Sequence, residues 1–296
     1  MIVKACLIAQ GPHLTLMLPT GHNSPHNRMK RQVTRDFFDK HPVFSLDEAT
    51  SALEAPGGRA GTIERLKYHL ETGRLKSVAR EVYAVVPPGI LADRFSADPF
   101  LVAAVIRPDG VFSGHSALEL LGAAHTIWGG CTLYSDRHRT PLPVGGVTVR
   151  FLGHPKAMRP ERRQYFGTRM VERRGRLIRC TGPERTLVEG FRHPSLVAGL
   201  EELVLSASGF PTLDLDLLDE VLRRYGVRNL WAAAGWFLER FQETFHVPES
   251  YLQRMEPHCP KSPQYMVRQR RGGTLASRWN LIVPTELTRL GEPDEP

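Results

Sequence analysis

The feature of this sequence that most constrains its fold is the order of patterns between residues 29 and 89. Three helical patterns are followed there directly by two short strand patterns. The first helix carries one apolar face and ends at His41-Pro42. Ser45 and Glu48 have the spacing of a capping box and predict the start of a second helix, which runs to about residue 54. The third helix is predicted over 62–72 and stops before Gly73.

Two short strands are predicted at 75–78 and 82–86, on either side of a polar turn. The run Pro87-Pro88-Gly89 predicts a boundary after them. Three helices followed by a β-hairpin are typical of a winged helix-turn-helix, so residues 29–89 are predicted to be such a domain and to fold by themselves. The alternative is a small three-helix domain that packs against another part of the chain.

The rest of the chain predicts a second, larger unit. A length of 296 residues exceeds the usual size of one domain. Residues 95–287 mix strand and helix patterns, so the predicted fold class is α+β, with the second domain ending in helices. Residues 1–28 are predicted to be a disordered leader, with Met29 as an alternative candidate start, and 288–296 a disordered tail. The second domain is predicted to contain helices at 113–121, 183–191, 196–206, 215–225 and 230–241 and strands at 131–135 and 147–152. A capping box is predicted from Thr181 to Glu184.

Basic charge is concentrated in one part of this second unit. The whole chain has a net charge of +8, and residues 150–185 alone have 11 Lys and Arg side chains against 3 Asp and Glu side chains. Residues 201–256 have the opposite excess, with 5 basic and 10 acidic side chains. We name the densest run the arginine strip: Arg159, Arg162, Arg163, Arg169, Arg173, Arg174, Arg176 and Arg179. Guanidinium groups suit phosphate oxygens, so DNA is the expected partner, although a surface that pairs with acidic helices is the alternative.

The third predicted helix supplies the candidate base contacts. Arg65 and Tyr68 lie on the face opposite its apolar residues and are predicted to reach bases or sugars, because a recognition helix reads base edges in the major groove. Arg59 and Thr62 are predicted to contact the DNA backbone, and Lys76 and Arg80 on the hairpin are predicted to reach the adjacent minor groove or its phosphates. The full predicted DNA-binding set is Arg59, Thr62, Arg65, Lys67, Tyr68, His69, Lys76, Arg80, Arg162, Arg163, Arg173, Arg174 and Arg176.

No motif in the sequence indicates an enzyme. Ser113 and His115 lie close together but lack the Gly-x-Ser-x-Gly surroundings of a serine nucleophile. There is no phosphate-binding glycine loop and no Glu/Gln-x-Lys nuclease step. Four cysteines are scattered singly, so no cofactor, metal site or disulfide framework is expected. No apolar run is long enough to span a membrane, and a cytoplasmic location without membrane partners is expected.

Several short motifs, taken in order, resemble those of the AbiEi family of antitoxins. The motifs that carry the resemblance are those at 44–49, 73–75 with 82–84, 113–122, 183–189 and 278–284. The resemblance spans about residues 29–287, with Glu189 standing where the family pattern has Asp. It implies an N-terminal winged helix-turn-helix and a C-terminal antitoxin domain. It also implies a repressor that binds inverted repeats at its own promoter and opposes a nucleotidyltransferase toxin of a type IV toxin-antitoxin system.

Three functions from different classes remain open at this stage. The first is an antitoxin and autorepressor, as the resemblance implies. The second is a solitary winged-helix transcription factor that responds to a small ligand, which predicts a closed apolar pocket in the second domain. The third is an interaction protein whose acidic helices, between residues 196 and 241, bind a basic partner.

Overall fold

The structure is a computed structural model that describes residues 25–137, 140–267, 272–288 and 290, with side chains described except at 25–28, 30 and 160–162. Most of the predicted leader and nearly all of the predicted tail therefore lie outside the described residues. The first helix begins at Pro25, four residues before the predicted start at Met29.

The N-terminal unit has three helices and three strands between residues 25 and 94. Its sheet is antiparallel, with β3 between β1 and β2. Strand β1 was not predicted, because three residues are too few for a recognisable alternation. In chain order the elements are α1 (Pro25–Lys40), β1 (Val43–Ser45), α2 (Leu46–Leu53), α3 (Gly58–Glu71), β2 (Leu75–Ala79) and β3 (Val82–Val85).

Local sequence explains how α2 begins. The Ser45 side chain accepts a hydrogen bond from the Glu48 amide, and the Glu48 carboxylate accepts one from the Ser45 amide, so the predicted capping box is confirmed. The three helices close over an aromatic core that includes Phe38, Phe44 and Leu66.

The opposite face of the N-terminal sheet is covered by the second unit. Val43, Val82 and Ala84 belong to a hydrophobic core that they share with the next helix of the chain, Pro99–Ile106. Residues 29–89 are therefore packed against the rest of the chain, and the prediction that they fold by themselves stays a prediction. The N-terminal unit thus has one core of its own and shares a second core with the chain beyond the Pro-Gly boundary.

The middle of the chain forms a mixed six-stranded sheet in the order β6-β7-β5-β4-β9-β8. Helices α4 and α5 lie against one face, in the core that they share with the N-terminal sheet. The sequence analysis missed α4 because its residues are apolar all round and show no amphipathic period. The elements are α4 (Pro99–Ile106), β4 (Val111–Phe112), α5 (His115–Leu120), β5 (Gly130–Tyr134), β6 (Leu142–Val144), β7 (Val147–Leu152), β8 (Thr168–Arg173) and β9 (Arg176–Thr181).

The last part of the chain is a helical layer with a small sheet, built around the largest hydrophobic core. Helix α6 contacts α7, α8 and α9, and β12 lies between β10 and β11. The elements are α6 (Pro183–Arg192), α7 (Leu200–Ser208), α8 (Leu215–Tyr225), α9 (Arg228–Arg240), α10 (Glu249–Met255), β10 (Gln264–Tyr265), β11 (Gly273–Ala276), β12 (Leu281–Pro284) and α11 (Thr285–Thr288).

The predicted capping box from Thr181 to Glu184 is wrong. Gly182 is the N-cap of α6 and makes no side-chain cap. The Thr181 hydroxyl instead pairs with Thr186, and the buried Glu184 carboxylate accepts from the Asp214 amide at 2.9 Å. Glu184 therefore ties α6 to the start of α8, a tertiary role that sequence spacing does not reveal.

The mixed α and β content agrees with the predicted α+β fold class. Among the helices that the structure describes, none has the length and apolar character needed to cross a membrane.

Candidate nucleic-acid interface

Helix α3 exposes a narrow face in its second half. Tyr68 is 64% exposed and is the largest side chain on this face. Lys67 is also exposed and pairs with Glu64 one turn earlier at 2.6 Å. The face therefore offers one aromatic ring beside a balanced ion pair. It is less basic than the sequence analysis expected.

Three other predicted contacts on α3 are held inside the protein. Thr62 is completely buried and its hydroxyl donates to the Gly58 carbonyl, so its predicted role as a backbone contact is wrong. Arg65 is half-buried and donates to the Leu53 carbonyl at the end of α2, at 3.3 Å. The His69 ring packs edge-on against Phe38, and burial lowers its pKa, which keeps it neutral at pH 7.

Arg59, at the start of α3, connects three elements of the N-terminal unit. Its guanidinium group pairs with Asp47 on α2 and with Glu81 in the β2–β3 turn, the latter at 2.7 Å. Both carboxylates are on the surface, so the pairs compete with solvent and with an incoming phosphate. Arg59 therefore orients the β2–β3 turn relative to α3, and its charge is already compensated.

The β2–β3 hairpin has one open cation and one engaged cation. The Lys76 ammonium donates to the Phe95 carbonyl at 2.6 Å. Lys76 therefore points toward the start of the second unit, and its predicted contact with DNA is wrong. Arg80 is exposed at the tip, and it makes no hydrogen bond or ion pair with any residue that the structure describes. Arg80 is thus the hairpin's candidate for a phosphate contact.

The sequence analysis overlooked two cations on α1. Arg31 and Arg35 lie one turn apart on α1, and both side chains are exposed. Within the described part of the chain neither forms a hydrogen bond or an ion pair. The sequence signal that could have identified them is the run of four basic side chains at residues 28, 30, 31 and 35.

Most of the arginine strip lies on one hairpin, formed by β8 and β9, which reaches the N-terminal unit. Arg176 donates to Glu48 at 2.8 Å and to the Val43 carbonyl at 3.2 Å. Arg173 pairs with Asp98 at 2.8 Å and stacks over the Phe100 ring. These two guanidinium groups bind within the chain, so their predicted role in phosphate contact is corrected: Arg176 joins the two units, and Arg173 holds the β8–β9 hairpin against the start of α4.

Arg163 and Arg174, two other arginines of the strip, are exposed. Arg174 is 69% exposed at the hairpin turn, with Asp98 at 3.9 Å. Arg163 is exposed, and Arg179 lies over the Tyr165 ring. The side chain of Arg162 lies outside the described residues. Arg174 is therefore the strip's best remaining phosphate candidate.

In the Ser113-Gly-His115 segment, the His115 ring is engaged with residues other than Ser113. The Nε2 atom of His115 lies 3.3 Å from the Glu202 carboxylate, and its ring stacks on Trp128. Glu202 also accepts from the amides of His125 and Thr126. His115 thus helps to position the loop after α5.

A buried ion pair lies at the centre of the second unit. Arg185 and Glu189, one turn apart on α6, are joined by a 2.6 Å contact and are almost completely buried. Tyr134 and Tyr225 donate to the same carboxylate at 3.0 and 2.6 Å. Burial, and then the nearby Glu189 charge, raise the pKa of both tyrosines, so both hydroxyls stay protonated and act as donors.

Two observations bear on the alternative functions. A surface depression at the start of α9 is open to solvent and lined partly by Arg228, Asn229 and Lys261, so this depression is not the closed apolar pocket of a ligand-responsive factor, whose prediction stays untested. In the acidic helices, Asp219 pairs with Arg223, while Arg278 reaches three glutamates: Glu239, Glu249 and Glu256. Arg223 is already counted among the 5 basic side chains of residues 201–256, and Arg278 adds one positive charge, so most of the acidic excess remains.

Comparison with known proteins gives a likeness of fold. No family model matches the chain, and a search of curated proteins finds no match. Among solved structures, the chain is similar to the RV2827C protein from Mycobacterium tuberculosis, with a TM-score of 0.54 and 16% sequence identity. The match covers 86% of this chain and 91% of that one. The chain therefore shares the fold of this mycobacterial protein across both of its units.

Proposed function

We propose that the N-terminal unit is a winged helix-turn-helix and that the protein is a DNA-binding transcriptional regulator. The observation that carries the proposal is the element order α1-β1-α2-α3-β2-β3 with a three-stranded antiparallel sheet. In this arrangement α3 is the recognition helix and the β2–β3 hairpin is the wing.

The exposed side chains assign the contacts within this proposal. Tyr68 on α3 reaches a base or sugar, and Arg80 at the hairpin tip grips a phosphate. Arg31 and Arg35 on α1 and Arg174 on the β8–β9 hairpin add further phosphate contacts. Arg173 and Arg176 are engaged internally and are not counted. We therefore expect the remaining four arginines to neutralise about four phosphates, one phosphate for each arginine.

Two single changes separate these roles. Tyr68→Ala is expected to weaken binding to a specific site by about 1–3 kcal/mol and to leave non-specific binding almost unchanged. Arg80→Ala should weaken all duplexes alike, because a phosphate contact carries no sequence information. Both effects are measured by fluorescence anisotropy with two labelled duplexes, one from the region upstream of the gene and one with a scrambled sequence. Arg223→Ala, which removes an exposed arginine from α8, is the control and should change neither affinity. If Tyr68→Ala lowered the affinity for both duplexes equally, α3 would not be the element that recognises bases.

We further propose that this regulator is the antitoxin and autorepressor of a type IV toxin-antitoxin system. The support is the resemblance of its motifs to the AbiEi family, together with the size of the second unit, which the DNA-binding proposal leaves without a role. The expected partners are inverted repeats in its own promoter and a nucleotidyltransferase toxin.

Co-expression with a neighbouring nucleotidyltransferase gene tests the antitoxin proposal. The Tyr68→Ala/Arg80→Ala double variant should still protect growth while a promoter reporter loses repression, because the changes leave the second unit intact. Loss of protection in step with loss of repression would show that neutralisation is only transcriptional.

A further inference from the structure

Strand β8 forms one edge of the six-stranded sheet, and its outer side pairs with no strand that the structure describes. The amide of Gly182 donates to the Gly167 carbonyl, which fixes the hydrogen-bonding phase of β8 and β9. Directly hydrogen-bonded pairs alternate along an antiparallel ladder. The backbone groups at 169, 171 and 173 therefore face β9, whereas those of Thr168, Met170 and Glu172 point away from the sheet.

Apolar side chains accompany this open edge. Met170 is 48% exposed on β8 and Leu177 is 64% exposed on β9, on the same face of the hairpin. Tyr165 is also exposed just before β8. One exposed apolar side chain needs no explanation, but several beside an unpaired strand edge are typical of an interaction surface.

We propose that β8 pairs with β8 of a second copy of this chain, antiparallel and about a twofold axis at Met170. The two six-stranded sheets then continue into one another. A twofold axis that relates neighbouring strands is perpendicular to the sheet, so each side chain stays on its own face. Only registers centred on a residue satisfy this condition, because successive side chains alternate between faces.

The charges of β8 select the register. With the axis at Met170, the two methionines face each other, Thr168 faces Glu172 of the second copy, and Arg169 faces Val171. An axis at residue 169 would place two Arg169 side chains opposite each other, and an axis at residue 171 would place Arg169 opposite Arg173. Like charges that are directly opposite destabilise a strand pair. The register centred on Met170 avoids this repulsion and uses all three outward-pointing residues.

The pairing is expected to be weak and concentration-dependent. A six-residue strand edge buries less surface than the roughly 1,200–2,000 Å² of a stable interface. A twofold dimer would also suit an inverted repeat, because it presents two copies of α3. The dimer itself rests on β8 alone and is measured without DNA, so it stands or falls separately from the proposed function.

Sedimentation velocity on the full chain, from low to several hundred micromolar, tests the pairing. The native chain should shift from monomer to dimer. Met170→Lys should weaken the dimer by about tenfold or more, because it places like charges at the axis. Leu275→Lys is the matched control: it adds the same charge at an apolar side chain of similar exposure, but on β11, outside the six-stranded sheet. A native chain that stays monomeric throughout, or equal behaviour of the two variants, would overturn the proposal.

Cross-linking tests the register. Directly opposite hydrogen-bonded residues have Cα atoms about 5.5 Å apart, within the range of a disulfide. Met170→Cys should therefore give a covalent dimer on a non-reducing gel after mild oxidation, and Leu177→Cys should not. Both variants carry Cys6→Ser. Burial raises the pKa of Cys131 and Cys180 to about 12 and that of Cys259 to about 11, which keeps these thiols unreactive. Equal cross-linking of the two variants would contradict the Met170 axis.

Discussion

Replacing Arg185 with methionine is expected to lower the free energy of unfolding by about 3–5 kcal/mol, the largest effect of any substitution proposed for this chain. The change leaves the Glu189 carboxylate buried with two tyrosine donors and no positive charge. It also removes the hydrogen bonds that Arg185 donates to the Gln164 and Phe166 carbonyls. Urea unfolding followed by circular dichroism measures the loss.

Two further variants make this measurement decisive. Arg223→Met removes an exposed partner of Asp219 on α8 and should cost less than about 1 kcal/mol. The double variant Arg185→Met/Glu189→Leu should recover part of the stability, because it leaves no unpaired buried charge. If Arg185→Met were no worse than Arg223→Met, the buried pair would not stabilise the second unit.

The second large effect concerns the N-terminal unit by itself. A chain truncated to residues 25–94 is expected to lose cooperative thermal unfolding. Truncation uncovers Val43, Val82 and Ala84, and each buried valine contributes about 1.5–3 kcal/mol. A total loss of roughly 3–6 kcal/mol is comparable with the whole stability of a domain of this size.

Circular dichroism melts and proton–nitrogen NMR spectra of the truncated and full chains test this expectation. Well-dispersed amide signals and a sharp transition in the truncated chain would contradict it, and the N-terminal unit would then be an autonomous domain. A poorly dispersed spectrum would agree with the shared core.

Local signals in the sequence identified the elements whose stability is local. The capping box at Ser45 and Glu48 predicted the start of α2, and the apolar period of residues 215–225 predicted α8 with its exact bounds. Helix α4 was missed because it is buried on all sides, which removes the amphipathic period. Strand β1 was missed because it has only three residues and is stabilised by pairing with β3, a contact that is distant in the sequence.

The candidate site was harder to predict, because its charges are compensated over long distances in the sequence. Arg176 and Glu48 are 128 positions apart, and Arg173 and Asp98 are 75 positions apart. A count of charges within a short stretch of sequence cannot detect such pairs. For this reason the arginine strip was predicted to be a phosphate-binding surface. Tyr68 and Arg80, in contrast, stayed exposed as their helix and turn positions predicted.

The central claim is that the full chain binds duplex DNA through the α3 face and the β2–β3 hairpin. It is tested most directly by titrating a labelled duplex from the region upstream of the gene at several salt concentrations. With about four phosphates neutralised, the logarithm of the binding constant should fall with the logarithm of salt at a slope of roughly −3 to −4. Arg80→Ala should flatten that slope by about 1. No binding to any duplex at low salt, or an affinity that does not change with salt, would contradict the claim.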